Sequence, residues 1–344
     1  MPAPSPNEPD DLAARSRRLA AELGLCAADQ VVSVTPLTGG VASDIAVVDL
    51  DNRRLCMKFA LPKLKVAADW FAPVHRNAAE YAWLKVAAAL RPECAPALFG
   101  RSEALSGFAM EFIAGDDVYL WKAALLAGAP DRGEAAKVGA LLGSVHAASG
   151  APGFDTAPFQ NHDDFRALRI EPYLTFTAGR HPVVADRLCA LAETLGSRTE
   201  VLVHGDVSPK NILFRQGNPV ILDAECATMG DAAFDPAFCL NHLILKAIHL
   251  DTSRDALLAS VGAFWRSYAP HVAWEPPRAL ERRVAGLIPA LMLARVDGKS
   301  PVEYLAPDDA DRVRNLALTL LQSPPPTLAD LTKTISDTLK GQAA

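Results

Sequence analysis

The sequence predicts an α+β protein in two lobes: a small five-stranded antiparallel sheet carrying one helix, followed by a mainly helical lobe. Three observations carry this expectation. Short β-branched and apolar runs separated by turn residues crowd the first third of the chain, helical patterns fill the rest, and 344 residues exceed the usual size of one compact domain. Half of the residues are hydrophobic and 22% are charged, so the chain can build a substantial interior and is not disordered as a whole.

Residues 1–10, MPAPSPNEPD, read as a flexible tail of proline and polar residues. Asp10 or Asp11 can cap a helix running through Leu23. Residues 31–37, 42–50 and 54–60 read as strands, separated by Thr38-Gly39-Gly40 and by the turn Asp51-Asn52-Arg53. Over 73–90 the pattern becomes helical, with Ala79, Tyr81, Leu84 and Ala87 on an apolar side and Glu80 pointing elsewhere, until Pro92 and Pro96 stop it. Residues 97–99 and 107–112 complete the five strands, so the first lobe is expected over 11–113. The second lobe, 114–344, carries helical segments at 118–126, 133–148, 183–196, 234–249, 253–268, 277–295, 308–322 and 327–340. Between them, 201–203, 212–214 and 220–222 are short apolar runs able to serve as strands around a loop.

The net charge of −6 and the scattered basic residues argue against nucleic acid as the main partner. The six cysteines are far apart and form no CxxC pair, which argues against disulfides or structural zinc and for a reducing compartment. The N-terminus has no basic n-region followed by an apolar run, and no stretch is long and apolar enough to span a bilayer. A cytoplasmic protein without a membrane partner is expected.

The chemistry is concentrated in residues 204–225, HGDVSPKNILFRQGNPVILDAE. Asp206 and Asn211 share one short loop, and Asp223 ends an apolar run, so two carboxylates and an amide can converge. One carboxylate can position a hydroxyl and accept its proton, while hard oxygens from Asn211 and Asp223 suit magnesium held against ATP phosphates. An isolated His-Gly-Asp would be weak evidence, but its continuation to Asn211 and to a strand-ending Asp223 is specific. A small-molecule kinase using ATP and Mg2+ is the leading reading. Lys210 can touch phosphate or be an exposed charge, and His204 can brace the loop. Lys58 can bind phosphates with Glu80 holding its ammonium, although alone it reads equally well as a surface lysine. The turn with Gly39, Gly40 and Ser43 lets the backbone approach phosphate or simply makes a hairpin, and no Walker A sequence is present. Met110, Glu111, Phe112 and Ile113 form a connection where backbone groups can read adenine, with packing an equal account of Met110 and Phe112.

Together these residues resemble the aminoglycoside phosphotransferase and choline kinase-like family over about residues 30–323, most strongly in HGDxxxxN and the following aspartate. The resemblance implies a protein-kinase-like fold with ATP between the lobes, Asp206 as base, Asn211 and Asp223 on the metal, and Lys58 on phosphate. It also implies that Asp235 braces the catalytic loop, where a helix cap would be the local alternative. Lys58-Phe59-Ala60-Leu61-Pro62, Trp70 with Arg76 and Glu80, Glu171-Pro172-Tyr173 and Asp223-Ala224-Glu225 further resemble methylthioribose kinases. That likeness implies a sugar hydroxyl as acceptor and a homodimer. The Arg-Arg pair of those kinases is not matched, because the corresponding region reads LARVDGK with only Arg295 carried over. Arg169, Glu225, Arg295 and Asp297 are the acceptor-pocket candidates beside Asp206, Arg295 and Asp297 reading equally well as a surface ion pair.

Metabolic phosphorylation of a small hydroxylated molecule therefore ranks first. Aminoglycoside or amino-alcohol phosphorylation and a catalytically inactive nucleotide-binding interaction protein are the alternatives. A protein kinase ranks lower, since the HRD, DFG and APE sequences are absent.

Overall fold

The computed structural model describes residues 11–37, 43–51, 53–63, 73–129 and 131–341. Asp11 caps the first helix, α1 (Leu12–Glu22), by accepting from the Ala13 amide at 3.3 Å. The strands β1 (Val31–Leu37), β2 (Ser43–Leu50) and β3 (Arg54–Ala60) follow, then the helix α2 (Arg76–Leu90), β4 (Leu98–Ser102) and β5 (Gly107–Glu111). They pair throughout as antiparallel neighbours in the order β1-β2-β3-β5-β4.

The two-residue period of β3 explains what each face carries. Leu55, Met57 and Phe59 point to the side covered by Leu19 and Ala20 of α1. Cys56 joins Phe108, Met110 and the α2 residues Ala79, Trp83 and Leu84 on the opposite side. Lys58 shares the parity of Cys56, so the strand directs its ammonium toward α2.

The helical lobe opens with β6 (Tyr119–Leu120), α3 (Trp121–Leu126) and α4 (Glu134–Ser149). The expected helix over 118–126 therefore begins later, because Tyr119 and Leu120 pair with Phe214 and Leu213. Next come α5 (His162–Phe165), a π-helical stretch over Arg166–Thr175 and α6 (Phe176–Arg180), running on from one another. The sequence carries no helical expectation for this segment. Pro172 sits inside it, and a residue without an N–H suits the irregular turn while breaking the ordinary helical pattern.

The chain continues through α7 (Ala185–Ser197), β7 (Val201–Val203), β8 (Ile212–Arg215), β9 (Asn218–Ile221) and β10 (Thr228–Gly230). β8 pairs with β6 and β9, and β7 with β10. The last helices are α8 (Phe234–His249), α9 (Arg254–Tyr268), α10 (Pro277–Asp297), α11 (Pro307–Gln322) and α12 (Leu328–Gly341). α8 is buried from Phe234 through Ile248 and packs against α9, α10 and α11, as a helix apolar nearly all round must. The fold is thus bilobal α+β, with five strands in the small lobe. Among the described residues, no helix is long and apolar enough to cross a membrane.

Gly139 lets α4 approach α9 closely, since a Cβ there would lie 2.4 Å from the Phe264 carbonyl oxygen. Alanine gains about 1 kcal/mol of helix propensity, but overpacking against backbone costs about 1–3 kcal/mol. Gly139→Ala is expected to lower the melting temperature by a few degrees in a thermal scan. An equal or higher value would show that α4 and α9 separate without loss.

Candidate active site

The loop between β7 and β8 is built by backbone bonds more than by packing. Asp235, in the first turn of α8, does not cap its own helix; its carboxylate accepts the amides of His204 at 2.6 Å and Gly205 at 2.9 Å. Gly205 has φ of 83°, and a Cβ there would meet Cys226 Cβ at 2.8 Å, so glycine meets both a conformational and a steric demand. The imidazole of His204 accepts the Asp206 amide at Nδ1, 3.1 Å away, and stands edge-on to Trp83. Burial holds His204 below its ordinary pKa. It is therefore neutral, as an accepting Nδ1 requires. The loop closes with a single turn over Pro209–Asn211, in which the Asn211 side-chain nitrogen donates to the Asp206 carbonyl at 3.1 Å.

β8 and β9 bring the third residue to this loop. Their register pairs Ile212 with Ile221, and the Leu222 amide extends it by donating to the Asn211 carbonyl at 2.9 Å. Asp223 follows with φ of 71°, a left-handed conformation that aspartate tolerates better than most side chains. Its amide donates to Glu80 Oε1 at 3.2 Å, and its carboxylate binds the Lys58 ammonium. Residues from β3, α2 and the end of the β8–β9 hairpin thus converge.

Lys58 also lies 2.8 Å from Glu80 and 3.1 Å from Glu225, whose other oxygen accepts from Arg76 Nε at 2.8 Å. Burial opposes the charge on Lys58, but Asp223, Glu225 and Glu80 raise its pKa well above the ordinary lysine value. Burial raises the Glu80 carboxyl to about 7, the pull of Lys58 being offset by Asp223 and Glu225. Three carboxylates within 4.8 Å of one another thus share two buried cations. The hard-oxygen donors fit a divalent cation. Asn211 commits its side-chain nitrogen to the Asp206 carbonyl, which leaves its amide oxygen available as a donor atom.

Asp206 is bound by a separate pair of cations. Arg169 and Lys210 each approach its Oδ2 at 3.3 Å, and Arg169 also donates to the Gly205 carbonyl. Burial would raise the Asp206 carboxyl, but Lys210 and Arg169 hold it below the ordinary range. It is therefore ionised at neutral pH and can accept hydrogen bonds.

The remaining candidates are distributed unevenly. Gly39 and Gly40 lie outside the described residues. Ser43 begins β2 and donates to Glu225. Met110 is buried in the sheet, while Phe112 and Ile113 are half-buried. Glu111 is committed to the strand edge and the second lobe: its amide donates to the Ala97 carbonyl at 2.8 Å and its carboxylate accepts from Arg215 at 2.8 Å. Glu225, expected in the acceptor pocket, faces Ser43, Lys58 and Arg76. Arg295 and Asp297, weighed as a surface ion pair, are both buried with separate partners. Arg295 donates to Tyr173 and Ser300, while Asp297 binds Arg314 and His181.

Sequence reasoning missed Arg76 as the fully buried partner of Glu225, and Lys210 as a partner of Asp206. It also missed Lys246, which is 1% exposed on α8. The available signal was a lysine within the apolar run LILKAI.

The sequence model described as the phosphotransferase enzyme family matches residues 33–280. No curated protein matches the chain in sequence. Among solved structures, the chain is similar to an amicoumacin kinase, hAmiN, in complex with AMP-PNP, Ca2+ and Ami, with TM-score 0.57 and 13% identity over 89% of this chain and 92% of that one. It is similar to a choline/ethanolamine kinase family protein from Mesorhizobium loti, with TM-score 0.52 and 18% identity over 93% and 99% of the two chains. A Plasmodium vivax ethanolamine kinase gives TM-score 0.52 and 13% identity over 91% and 90%. At these identities the likeness is one of fold.

The paired cations around Asp206 make a titration prediction. Lys210→Met and Arg169→Met should each move the Asp206 carboxyl midpoint to higher pH, read by carboxyl carbon NMR. Because the folded-state pKa is depressed, the stability that Asp206 contributes is present above its unfolded pKa and is lost as pH falls through the folded value. The variants should lose part of that contribution. Unmoved midpoints would mean that solvent already screens both cations.

Proposed function

Because the chain belongs to the phosphotransferase enzyme family, we propose that it transfers the γ-phosphoryl group of ATP to a hydroxyl of a small polar metabolite. The observation that carries this reading is the joining of Asn211 to Leu222 across the β8–β9 hairpin, beside the Lys58 and Glu80 contacts of Asp223. It supports a site with a proton acceptor on one side and phosphate and metal groups on the other.

In this reading Asp206 orients the acceptor hydroxyl and receives its proton, with Lys210 and Arg169 keeping the carboxylate ionised. Asn211 and Asp223 hold Mg2+, with Glu80 and Glu225 nearby. Bound there, magnesium offsets charge on the phosphates. Lys58 lies on strand β3, fixed by Glu80, and is the proposed phosphate contact. Gly39, Gly40 and Ser43 are proposed to contact the phosphates, and the backbone of Phe112 and Ile113 to meet the adenine edge. Much of the rate enhancement then comes from placement and charge stabilisation. The proposed lobe boundary at 113/114 follows directly on this connection.

Acceptor-dependent ADP release with magnesium-ATP tests the reading. Asp206→Asn should lower kcat by about 10²–10⁴-fold, the range of general-base catalysis, while nucleotide binding is retained. Undiminished turnover in the variant would remove Asp206 as base. Nucleotide binding without turnover across sugars, amino alcohols and hydroxy acids would favour a binding-only protein.

A further inference from the structure

The helical lobe holds buried positive charge that the reaction as described above does not use. Lys246, near the end of α8, is 1% exposed, and among the described residues it forms no ion pair. Its ammonium has only two long contacts, 3.4 Å to the His242 carbonyl and 3.5 Å to the Tyr304 hydroxyl, and lies 4.8 Å from the Tyr304 ring centroid. Arg295 of α10 is 8% exposed and, among the described residues, donates to the neutral oxygens of Tyr173 and Ser300 and leaves its Nε buried and unpartnered. His242, one turn before Lys246, likewise buries an unpartnered Nε2.

These groups form one connected set that reaches the catalytic loop. Arg295 touches Tyr173, whose ring packs on Phe238 at 5.6 Å, and Phe238 packs on His242 at 5.4 Å. Tyr173 lies on the same π-helical stretch as Arg169, which binds Asp206. From the other end, Tyr304 follows Glu303, whose carboxylate binds Lys122 of α3, and α3 packs on the Pro209–Asn211 turn. The cations Arg169 and Lys210 are neutralised by Asp206, and Lys122 by Glu303. Among the described residues Lys246 and Arg295 form no ion pair, and Glu303, whose charge both of them feel, is bound directly to Lys122.

We propose that the acceptor is an anionic hydroxylated metabolite, whose carboxylate or phosphate is bound by Lys246 together with Arg295 while its hydroxyl meets Asp206. This deepens the kinase reading and rests on it. A buried unpaired cation is costly and an anionic partner offsets that cost. Burial, with help from Lys122, lowers the Lys246 pKa to about 7, Glu303 and Cys239 acting the other way and Arg295 adding to the depression. A bound anion reverses this and fixes the charged form. A cationic aminoglycoside or amino alcohol would instead add a like charge to the same region, so this cluster disfavours both.

Three-carbon acceptors differing in one group provide the test: glycerate, glycerol 3-phosphate, glycerol and serinol, with ribonate, ribose 5-phosphate and ribose as a larger set. Binding is measured calorimetrically with magnesium and a non-hydrolysable ATP analogue, and turnover as ADP release with magnesium-ATP. The acids or phosphates should bind about 30-fold or more tightly than their neutral counterparts, the scale of one desolvated charge pair. The carboxylate and phosphate arms decide which anion is recognised. Lys246→Met should erase the preference and leave the ligand-free melting temperature unchanged or higher, since it removes a buried charge that forms no ion pair among the described residues. Equal or better binding of neutral or amine-bearing members by the wild-type protein overturns the proposal, as does failure of every anionic member to bind. An anion preference that survives in Lys246→Met also overturns it. Lys246-dependent anion binding with no phosphoryl transfer to any acceptor supports the anion site and overturns the kinase reading, so the two failures are distinguishable.

Discussion

One buried ammonium ties the two lobes together. Lys58 from β3 meets carboxylates from α2 and from the segment following β9, and none of the three elements can shift far without leaving an unpaired charge out of water. Arg76 supplies the second cation by bonding to Glu225 and to the Pro73 and Leu61 carbonyls, which pins the start of α2 to the end of β3. The site geometry follows from this charge balance as much as from hydrophobic packing.

The loop from His204 to Asn211 depends on a separate anchor. Asp235 is buried in the helical lobe and spends its carboxylate on the His204 and Gly205 amides, so the loop takes its position from α8. The same helix carries Lys246 about three turns further on. α8 therefore links the positioning of the proposed base to the region proposed to choose the acceptor. The two sides of the cleft also differ in charge: carboxylates outnumber cations around Lys58, whereas cations outnumber carboxylates around His242. That polarity matches metal and phosphate on one side and an anionic acceptor on the other.

Much of the architecture was legible locally. The apolar runs and turn residues of the first three strands, the Asp11 cap, and helices such as 234–249 and 308–322 each declare themselves within a few residues. So does the loop from His204 to Asn211, because β7 and β8 bound it on either side. The stretch over 162–180 was not legible, since Pro172 hides a helix whose irregular turn is stabilised by distant partners. Arg169 donates from it to the Gly205 carbonyl.

By itself, the sequence determined the spacing of the polar groups: a carboxylate and an amide on one loop, a second carboxylate just past the hairpin that follows, and a lysine and a glutamate upstream. Spacing along a loop or strand is a local property, and backbone geometry converts it into position with little help. Only the tertiary structure decided which charges meet. Glu225 turned to Arg76 and Ser43, Arg295 and Asp297 took separate partners, and Lys246 was enclosed with no ion pair among the described residues. The physical reason is that the balance between desolvation and Coulomb attraction depends on what the fold packs around a side chain, and those neighbours lie tens to hundreds of residues away in sequence.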